Sequence, residues 1–189
     1  MNRVAVDIDE VLVAFVEPMA RWKGLKMPRT RGYRYVYRDM FSLTDRESQQ
    51  MVRDFYRSET FKGLEPLPGS QEALSVLKSR GSRLYAVSGR HQVVRDTTET
   101  WLDLHFPGVF DDLVLTDSFT DQEIAKVDVC RALNLGTIID DSERNCLSCA
   151  YGGMKAVHFA GSEGSLYPWC EEGAMSVLDW EECIIHIRA

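Results

Sequence analysis

The chain has 189 residues, of which 44% are hydrophobic and 27% charged, and its formal net charge is −7. This length fits one domain of ordinary size with room for a small inserted subdomain, and the hydrophobic fraction is enough for a packed core. The acidic balance argues against a general nucleic-acid binder. Any phosphate that the protein handles must therefore meet locally concentrated positive charge or a metal ion.

The sequence lacks the marks of a secreted or membrane protein. It begins without a charged-then-apolar leader, and no apolar run is long enough to span a bilayer. The cysteines number five, an odd count that predicts free thiols in a reducing compartment. Cys146 and Cys149 form a C-x-x-C pair, but a structural zinc needs a second ligand pair, and none stands at suitable spacing. We expect a cytoplasmic protein with no membrane partner and with its cysteines in the core.

Short apolar runs alternate with helical periodicity along most of the chain. The pattern predicts strands at 4–8, 83–87, 113–116, 137–139 and 155–159 and helices at 70–78, 91–104, 124–133, 143–151 and 180–187. A longer segment with helical periodicity around 15–22 and 47–56 separates the first strand from the breaker cluster Glu65-Pro66-Leu67-Pro68-Gly69. This order predicts an α/β fold with a mainly parallel sheet covered on both faces.

Two carboxylates follow the first predicted strand. In such sheets ligands bind at the carboxyl ends of the strands. Asp7 and Asp9 stand two residues apart, and in an extended segment such residues point the same way, so both can reach one pocket. Like charges this close need a cation or a shared proton, and Mg²⁺ is a hard cation that takes oxygen ligands. On its own, the pair is equally consistent with a solvated acidic turn.

Polar groups also follow two later strands. Ser88-Gly89-Arg90 offers a hydroxyl, a glycine that lets the backbone approach an anion, and a guanidinium. Asp140 and Asp141 follow a buried β-branched run, where carboxylates are costly unless they bind something or accept hydrogen bonds. Lys126 opens the preceding helix and can bring a compensating ammonium. The order and placement of these groups predict one site.

At these positions the chain resembles a known superfamily. Asp7-Ile8-Asp9-Glu10-Val11-Leu12 resembles the first motif of the haloacid dehalogenases, and Ser88, Lys126 and Asp140-Asp141 occupy the places of the other three. The chain is most similar to the 5′(3′)-deoxyribonucleotidases, because Leu64-Glu65-Pro66-Leu67-Pro68-Gly69 resembles the segment that returns from their cap. The resemblance covers nearly the whole chain. It implies a Rossmann-like three-layer sandwich with a catalytic core at 1–14 and 65–189 and a cap at 15–64.

The resemblance also implies roles for the motif residues. Asp7 is the expected nucleophile, which forms an aspartyl-phosphate, and Asp9 is the expected general acid and then base. The residues expected to bind the substrate are Ser88, Gly89, Arg90 and Lys126. The residues expected to hold Mg²⁺ are Asp7, Asp9, Asp140 and Asp141, with Asp140 also orienting Lys126 or a water. The expected function is a magnesium-dependent phosphatase for a small organic phosphate, with a nucleoside monophosphate preferred.

Several positions depart from the nucleotidase pattern. Glu10 stands where that family usually has glycine, Ala14 where it usually has aspartate, and Ser88-Gly89-Arg90 replaces a Thr-Ser-Pro turn. The stretch from Lys126 to Asp141 is longer than usual. These departures leave open a sugar phosphate or a nucleic-acid end as substrate. Because Glu10 adds negative charge to the catalytic turn, they also leave open a non-catalytic binding module on the same fold.

The expected cap contains an unusual basic segment. From Arg21 to Arg38 there are seven basic residues and no acidic one, and Tyr33, Tyr35 and Tyr37 alternate within it. The alternation predicts an extended segment with one tyrosine face. Such a face either binds a base and phosphate or packs the cap against the core while the basic residues stay in solvent. The sequence leaves this choice open, together with the oligomeric state.

Overall fold

A computed structural model describes residues 2–28, 36–171, 173 and 175–188. The strands in these ranges are β1 (Arg3–Val6), β2 (Arg83–Ser88), β3 (Phe110–Leu115), β4 (Thr137–Asp140), β5 (Lys155–Phe159), β6 (Gly161–Ser162), β7 (Ser165–Leu166) and β8 (Ser176–Val177). The helices are α1 (Val16–Lys23), α2 (Val36–Met40), α3 (Asp45–Tyr56), α4 (Glu59–Lys62), α5 (Ser70–Ser79), α6 (Arg95–His105), α7 (Lys126–Ala132), α8 (Glu143–Tyr151) and α9 (Trp180–Arg188), with a 3₁₀ turn at Gln92–Val94.

The main sheet has six strands in the order β3-β2-β1-β4-β5-β8, and each described pairing within it is parallel. This confirms the predicted α/β fold. Ala5 on β1 is paired with Tyr85 on one side and Ile138 on the other, so β1 lies in the centre. Because the strands are parallel, Asp7, Ser88 and Asp140 lie at one edge of the sheet.

Alternate residues of the central strands face opposite layers of helices. Val4 and Val6 belong to the larger apolar cluster, which includes residues of α5, α6 and α9, whereas Ala5 belongs to a second cluster with Cys130 of α7 and Cys149 of α8. All of these strand residues are fully buried. A strand buried on both sides is a continuous apolar run, which is how β1 and β4 appear in the sequence.

The segment between β1 and α5 forms helices that share the larger apolar cluster with the sheet. Phe15 lies edge-to-face with Phe55 at a centroid distance of 5.2 Å, and Tyr56 with Phe61 at 5.1 Å. Thr44 starts α3 with a capping box closed by Glu47. Aromatic packing therefore holds these helices to one another.

Two details differ from the prediction. Tyr37 lies in the short helix α2, with its ring 6.1 Å from that of Phe15, so the extended conformation expected there is wrong at Tyr37. Tyr33 and Tyr35 lie outside the described residues. The hairpin β6–β7 and the edge strand β8 were not predicted, because strands of two residues leave no periodicity in the sequence.

The cysteines are free and buried, as predicted. Burial raises the pKa of Cys146, Cys170 and Cys183, so these thiols stay protonated at neutral pH. Among the described residues, no helix is both long and apolar enough to cross a membrane.

Asp111 on β3 gives the fold a testable pH dependence. Its Oδ2 accepts hydrogen bonds from Lys78 and from the backbone N–H of Leu84, both at 3.0 Å. Partial burial by itself raises the pKa of Asp111, but these donors outweigh it and leave the pKa below its usual range. We expect Asp111→Asn to lower the free energy of unfolding by about 1 kcal/mol at neutral pH.

The sign of this effect follows from linkage. A carboxyl whose pKa is lowered in the folded state stabilises the fold above its unfolded pKa of about 4, and this contribution disappears as the pH falls through the folded value. Urea titrations of wild type and Asp111→Asn from pH 7 to pH 3 should converge at the acid end. The exposed Asp103→Asn on α6 is the control. A difference that is constant across the range would contradict the assignment.

Candidate active site

A buried lysine joins the ends of two strands. Lys126 Nζ lies 2.7 Å from Asp7 Oδ2 and 2.6 Å from Asp140 Oδ2, and all three side chains are buried. Asp7 follows β1, Asp140 ends β4, and Lys126 begins α7. Burial by itself lowers the pKa of Lys126, but the two carboxylates outweigh it and raise the pKa, so the ammonium stays charged. The structure thus brings together three residues that the motifs singled out.

The second oxygen of Asp140 is also occupied. Oδ1 accepts hydrogen bonds from the backbone N–H of Ser142 at 2.9 Å and from Asn145 Nδ2 at 3.0 Å. Asp140 therefore fixes Lys126 on one side and the start of α8 on the other. The sequence alone gave no reason to place Asn145 here rather than on an exposed helix surface.

Carboxylate oxygens of Asp7, Asp140 and Asp141 lie within 4.8 Å of one another. Burial raises the pKa of Asp141 well above its usual range, and the charges of Asp140 and Asp7 add to the effect. Burial also raises the pKa of Asp7 to about 7, although Lys126 opposes the shift. Three carboxylates against one ammonium leave two formal negative charges. The residues present therefore fit a divalent cation with hard oxygen ligands, such as Mg²⁺.

A C-terminal aromatic pair, absent from the predicted site, contacts this cluster. The indole N–H of Trp169 donates to Asp141 Oδ2 at 3.3 Å, and its ring stacks on Tyr167 at 4.8 Å. The Tyr167 hydroxyl donates to the backbone carbonyl of Glu10 at 2.8 Å. These residues follow the hairpin β6–β7 and carry no recognisable motif, so only the tertiary structure shows that they belong to the site.

Glu10 has a structural use at the position where the nucleotidases usually have glycine. Its φ of 63° is in the left-handed region that glycine adopts most easily. Its Oε1 accepts the backbone N–H groups of Phe15 at 2.8 Å and Val16 at 2.6 Å, at the start of α1. Burial raises the pKa of Glu10 to about 7, and the two hydrogen bonds oppose the rise. The negative charge expected to crowd the catalytic turn thus faces a helix N-terminus, where it is favourable.

Arg90 and Asp9 form an ion pair in which the guanidinium is buried and the carboxylate is partly exposed. Arg90 Nη2 lies 2.7 Å from Asp9 Oδ1, and Nε lies 3.1 Å from both carboxylate oxygens. Burial by itself lowers the pKa of Arg90, but Asp9 outweighs it and raises the pKa. The anion that Arg90 contacts in the structure is therefore a protein carboxylate. Ser88 is fully buried, and its hydroxyl oxygen accepts a hydrogen bond from the backbone N–H of Arg90 at 3.2 Å.

Gly89 lets two loops approach each other closely. A Cβ at this position would lie 2.9 Å from Ser118 Oγ and 3.1 Å from Ser118 Cβ. The Gly89 carbonyl accepts the Ser118 N–H at 3.1 Å. The requirement for glycine is therefore set at least in part by the loop that follows β3.

A cavity of about 260 Å³ opens in front of these groups. Its floor includes Asp7, Asp9, Lys126 and Asp141, all of them predicted site residues. Its other walls come from the inserted helices (α1 to α4, between β1 and α5), from the loop after β3 and from the C-terminal segment. The lining from these walls includes Tyr37, Gln49, Val52, Arg53, Tyr56, Ser118, Phe119, Thr120, Glu123 and Trp169.

The fold and this arrangement define a class of protein. A parallel sheet with Asp-x-Asp after its central strand, a buried lysine and a second acidic pair is the pattern of the haloacid-dehalogenase phosphohydrolases. Residues 1–149 match the family described as 5′ nucleotidase, deoxy (pyrimidine), cytosolic type C protein, and the chain belongs to this family. It is therefore a phosphoric monoester hydrolase. No curated protein matches the chain significantly in sequence.

Solved structures share the fold at low sequence identity. A HAD family hydrolase from Deinococcus radiodurans R1, solved with bound phosphate and sodium, is 15% identical with a TM-score of 0.64, over 97% of this chain and 93% of that one. A haloacid dehalogenase-like protein from Agrobacterium tumefaciens C58 is 12% identical with a TM-score of 0.64, over 100% and 98%. At these identities the likeness shows the fold alone.

The buried lysine gives a stability prediction. Asp140→Asn keeps the shape of the side chain but removes a charge that Lys126 and the start of α8 depend on. We expect the free energy of unfolding to fall by on the order of 3 kcal/mol, because an amide has one acceptor oxygen, so its NH₂ group must face either Lys126 or the donors Ser142 and Asn145. Chemical denaturation monitored by circular dichroism measures this. Asp128→Asn, which breaks an exposed pair with Arg131, is the matched control and should change stability little. Equal effects of the two variants would contradict the assignment.

The contact of Gly89 with Ser118 gives a second prediction. Gly89→Ala should destabilise the protein by about 1–3 kcal/mol because the new methyl group overlaps Ser118. Gly136→Ala is the control, since a Cβ there meets nothing within 4 Å. Adding Ser118→Gly to Gly89→Ala should recover part of the loss in thermal denaturation. No recovery would show that the overlap lies elsewhere.

Proposed function

We propose that the protein is a magnesium-dependent phosphatase that works through an aspartyl-phosphate at Asp7 and acts on a nucleoside monophosphate. The observation that carries the proposal is the buried Lys126, which lies between Asp7 and Asp140 at the floor of the cavity. A charged ammonium beside a carboxylate at the end of a parallel strand is placed to meet a phosphoryl group.

The phosphoryl group is held by Lys126 and by the turn that follows β2. Lys126 supplies positive charge, and the turn Ser88-Gly89-Arg90 supplies backbone donors beside it. Gly89, Arg90 and Lys126 line the cavity. These preorganised donors then stabilise the charge that grows on the phosphoryl oxygens in the transition state.

The reaction divides between two carboxyl groups. Asp7 attacks phosphorus, so that a bond from its carboxylate oxygen to phosphorus forms while the bond to the leaving oxygen breaks, and Asp9 gives that oxygen its proton. In the second step Asp9 takes a proton from water, the water oxygen bonds to phosphorus, and the bond to Asp7 breaks. One hard hydrolysis is thereby split into two easier displacements.

The side chains of Asp7 and Asp141 and the backbone carbonyl of Asp9 are the groups proposed to hold Mg²⁺, with Asp140 adding negative charge beside them. The bound ion would offset the negative charge shared by the carboxylates and the phosphate. Trp169, which donates to Asp141, keeps that carboxylate directed toward the cluster.

The inserted helices are proposed to act as a cap, residues 15–64, over a core of residues 1–14 and 65–189. Tyr56 and Arg53 of α3 line the cavity from the cap side, and Phe119 and Trp169 line it from the core side. Aromatic rings around a phosphate site can bind a planar base. Together with the family match, these aromatic walls support a nucleoside monophosphate over a sugar phosphate as the substrate.

The test is phosphate release from a substrate panel with Mg²⁺ and with EDTA. The panel contains deoxynucleoside and ribonucleoside monophosphates, sugar phosphates, and oligonucleotides with a 5′ or 3′ phosphate. We expect release from nucleoside monophosphates, loss of release in EDTA, and a loss of about 10³-fold or more in Asp7→Asn. Asp103→Asn, an exposed change on α6, is the control for handling and folding.

Other outcomes have definite meanings. Preference for phosphorylated oligonucleotides, with a steep dependence on salt, would replace the nucleotide by a nucleic-acid end. Preference for sugar phosphates would show that the aromatic rings around the cavity do not serve to bind a base. Release that survives both EDTA and Asp7→Asn would overturn the proposed mechanism.

A further inference from the structure

We infer that Arg90 is a positioning residue for the general acid, which holds one oxygen of Asp9 so that the other exchanges the proton. The inference rests on the proposed function, because it assigns Arg90 to a step of that reaction. It differs from direct binding of the phosphoryl group, and the two roles give different kinetics.

The two carboxylate oxygens of Asp9 accept different numbers of hydrogen bonds from Arg90. Oδ1 accepts from Nη2 at 2.7 Å and from Nε at 3.1 Å, whereas Oδ2 accepts only from Nε, at 3.1 Å. Oδ1 is thus the fixed atom. Oδ2 keeps more free lone-pair capacity, and it is the atom to which we assign the proton that passes to the leaving oxygen and later comes from water.

The guanidinium itself is fixed from several sides. Nη1 donates to Thr98 Oγ1 at 3.2 Å, and the guanidinium carbon lies 4.9 Å from the centre of the Phe61 ring. The Arg90 side chain is 2% exposed and that of Asp9 is 20% exposed, so the guanidinium is inside the protein and the carboxylate faces the cavity. A rigid, planar cation of this kind sets the orientation of its partner at little cost in side-chain entropy.

The same contacts argue against phosphate as the main partner of Arg90. Its Nε and Nη2 donate to Asp9 and its Nη1 donates to Thr98, so only a single N–H on Nη1 and another on Nη2 are left for a further acceptor. To bind the phosphoryl group through its strongest bonds, Arg90 would have to release Asp9 and leave a carboxylate without its partner. That exchange costs free energy in a buried site.

Phe61 connects this pair to the inserted helices. It lies on α4, packs against Phe15 and Phe55 in the aromatic cluster, and covers one face of the guanidinium. Helix α4 therefore contacts the guanidinium that holds Asp9.

The experiment compares substrates that differ in their need for a proton. p-Nitrophenolate leaves without protonation, whereas the alkoxide of a deoxynucleoside monophosphate needs the proton from Asp9. Arg90→Lys keeps the positive charge but loses the planar set of paired N–H donors that holds Asp9. We expect kcat/KM on the nucleotide to fall about 100-fold and kcat/KM on p-nitrophenyl phosphate to fall less than about threefold. The comparison uses kcat/KM because this ratio reports the first displacement, whereas kcat also includes the hydrolysis of the aspartyl-phosphate that both substrates share.

Two further variants keep the result interpretable. Thr98→Val has nearly the same volume and removes only the Nη1 acceptor, so it should give a smaller loss with the same substrate dependence, even where Arg90→Lys disturbs folding. In an Asp9→Asn background, Arg90→Lys should lower the rate on the nucleotide little further, because both changes remove the same function. Arg95→Met on α6, which breaks an exposed pair with Glu99, is the matched arginine control.

Two results would overturn the inference. One is an equal loss of kcat/KM on both substrates, which indicates a structural role. The other is a large rise in KM on both, which indicates that Arg90 binds the phosphoryl group. Turnover of both substrates by the wild type tests the proposed function separately, since the inference concerns only how the variants change the ratio of the two rates.

Discussion

Lys126 can keep its charge in a buried position only because Asp7 and Asp140 flank it, and this compensation organises the site. Each member of the trio comes from a different strand–helix unit, so their contact requires the parallel order that places β1 beside β4. Asp141 adds a further carboxylate at the same edge, which leaves excess negative charge. The cost of burying that charge is the physical reason why the residues fit a divalent cation.

A second ion pair, with a buried guanidinium, connects the site to the inserted helices in the same way. Arg90 compensates Asp9, and Phe61 covers the guanidinium, so a contact between α4 and the core reaches the proposed general acid. Glu10 makes a similar connection, because it lies in the turn after β1 and accepts the first backbone N–H groups at the start of α1. The helices over the cavity are thus joined to the turn after β1 by specific polar contacts in addition to aromatic packing.

The C-terminal segment completes the site from the opposite side. Trp169 donates to Asp141, Tyr167 donates to the carbonyl of Glu10, and the ring of His158 lies 3.0 Å from the Asp141 carbonyl. These residues lie beyond residue 149, where the family match ends. The acidic pair after β4 is therefore supported by a part of the chain that the shared motifs do not include.

The sequence by itself determined the fold class and the residues of the floor of the site. Asp7, Asp9 and Asp141 could be predicted because parallel strands bring their carboxyl ends to one edge, and short apolar runs mark where each strand ends. Lys126 could be predicted because its place in the sequence resembles that of the third motif. Only the tertiary structure decided the partners of these residues. Trp169 lies 28 residues from Asp141, and Arg90 lies 81 residues from Asp9. No local pattern encodes such contacts, because they depend on how separate elements pack, whereas strand order and burial leave a periodic signal in the chain.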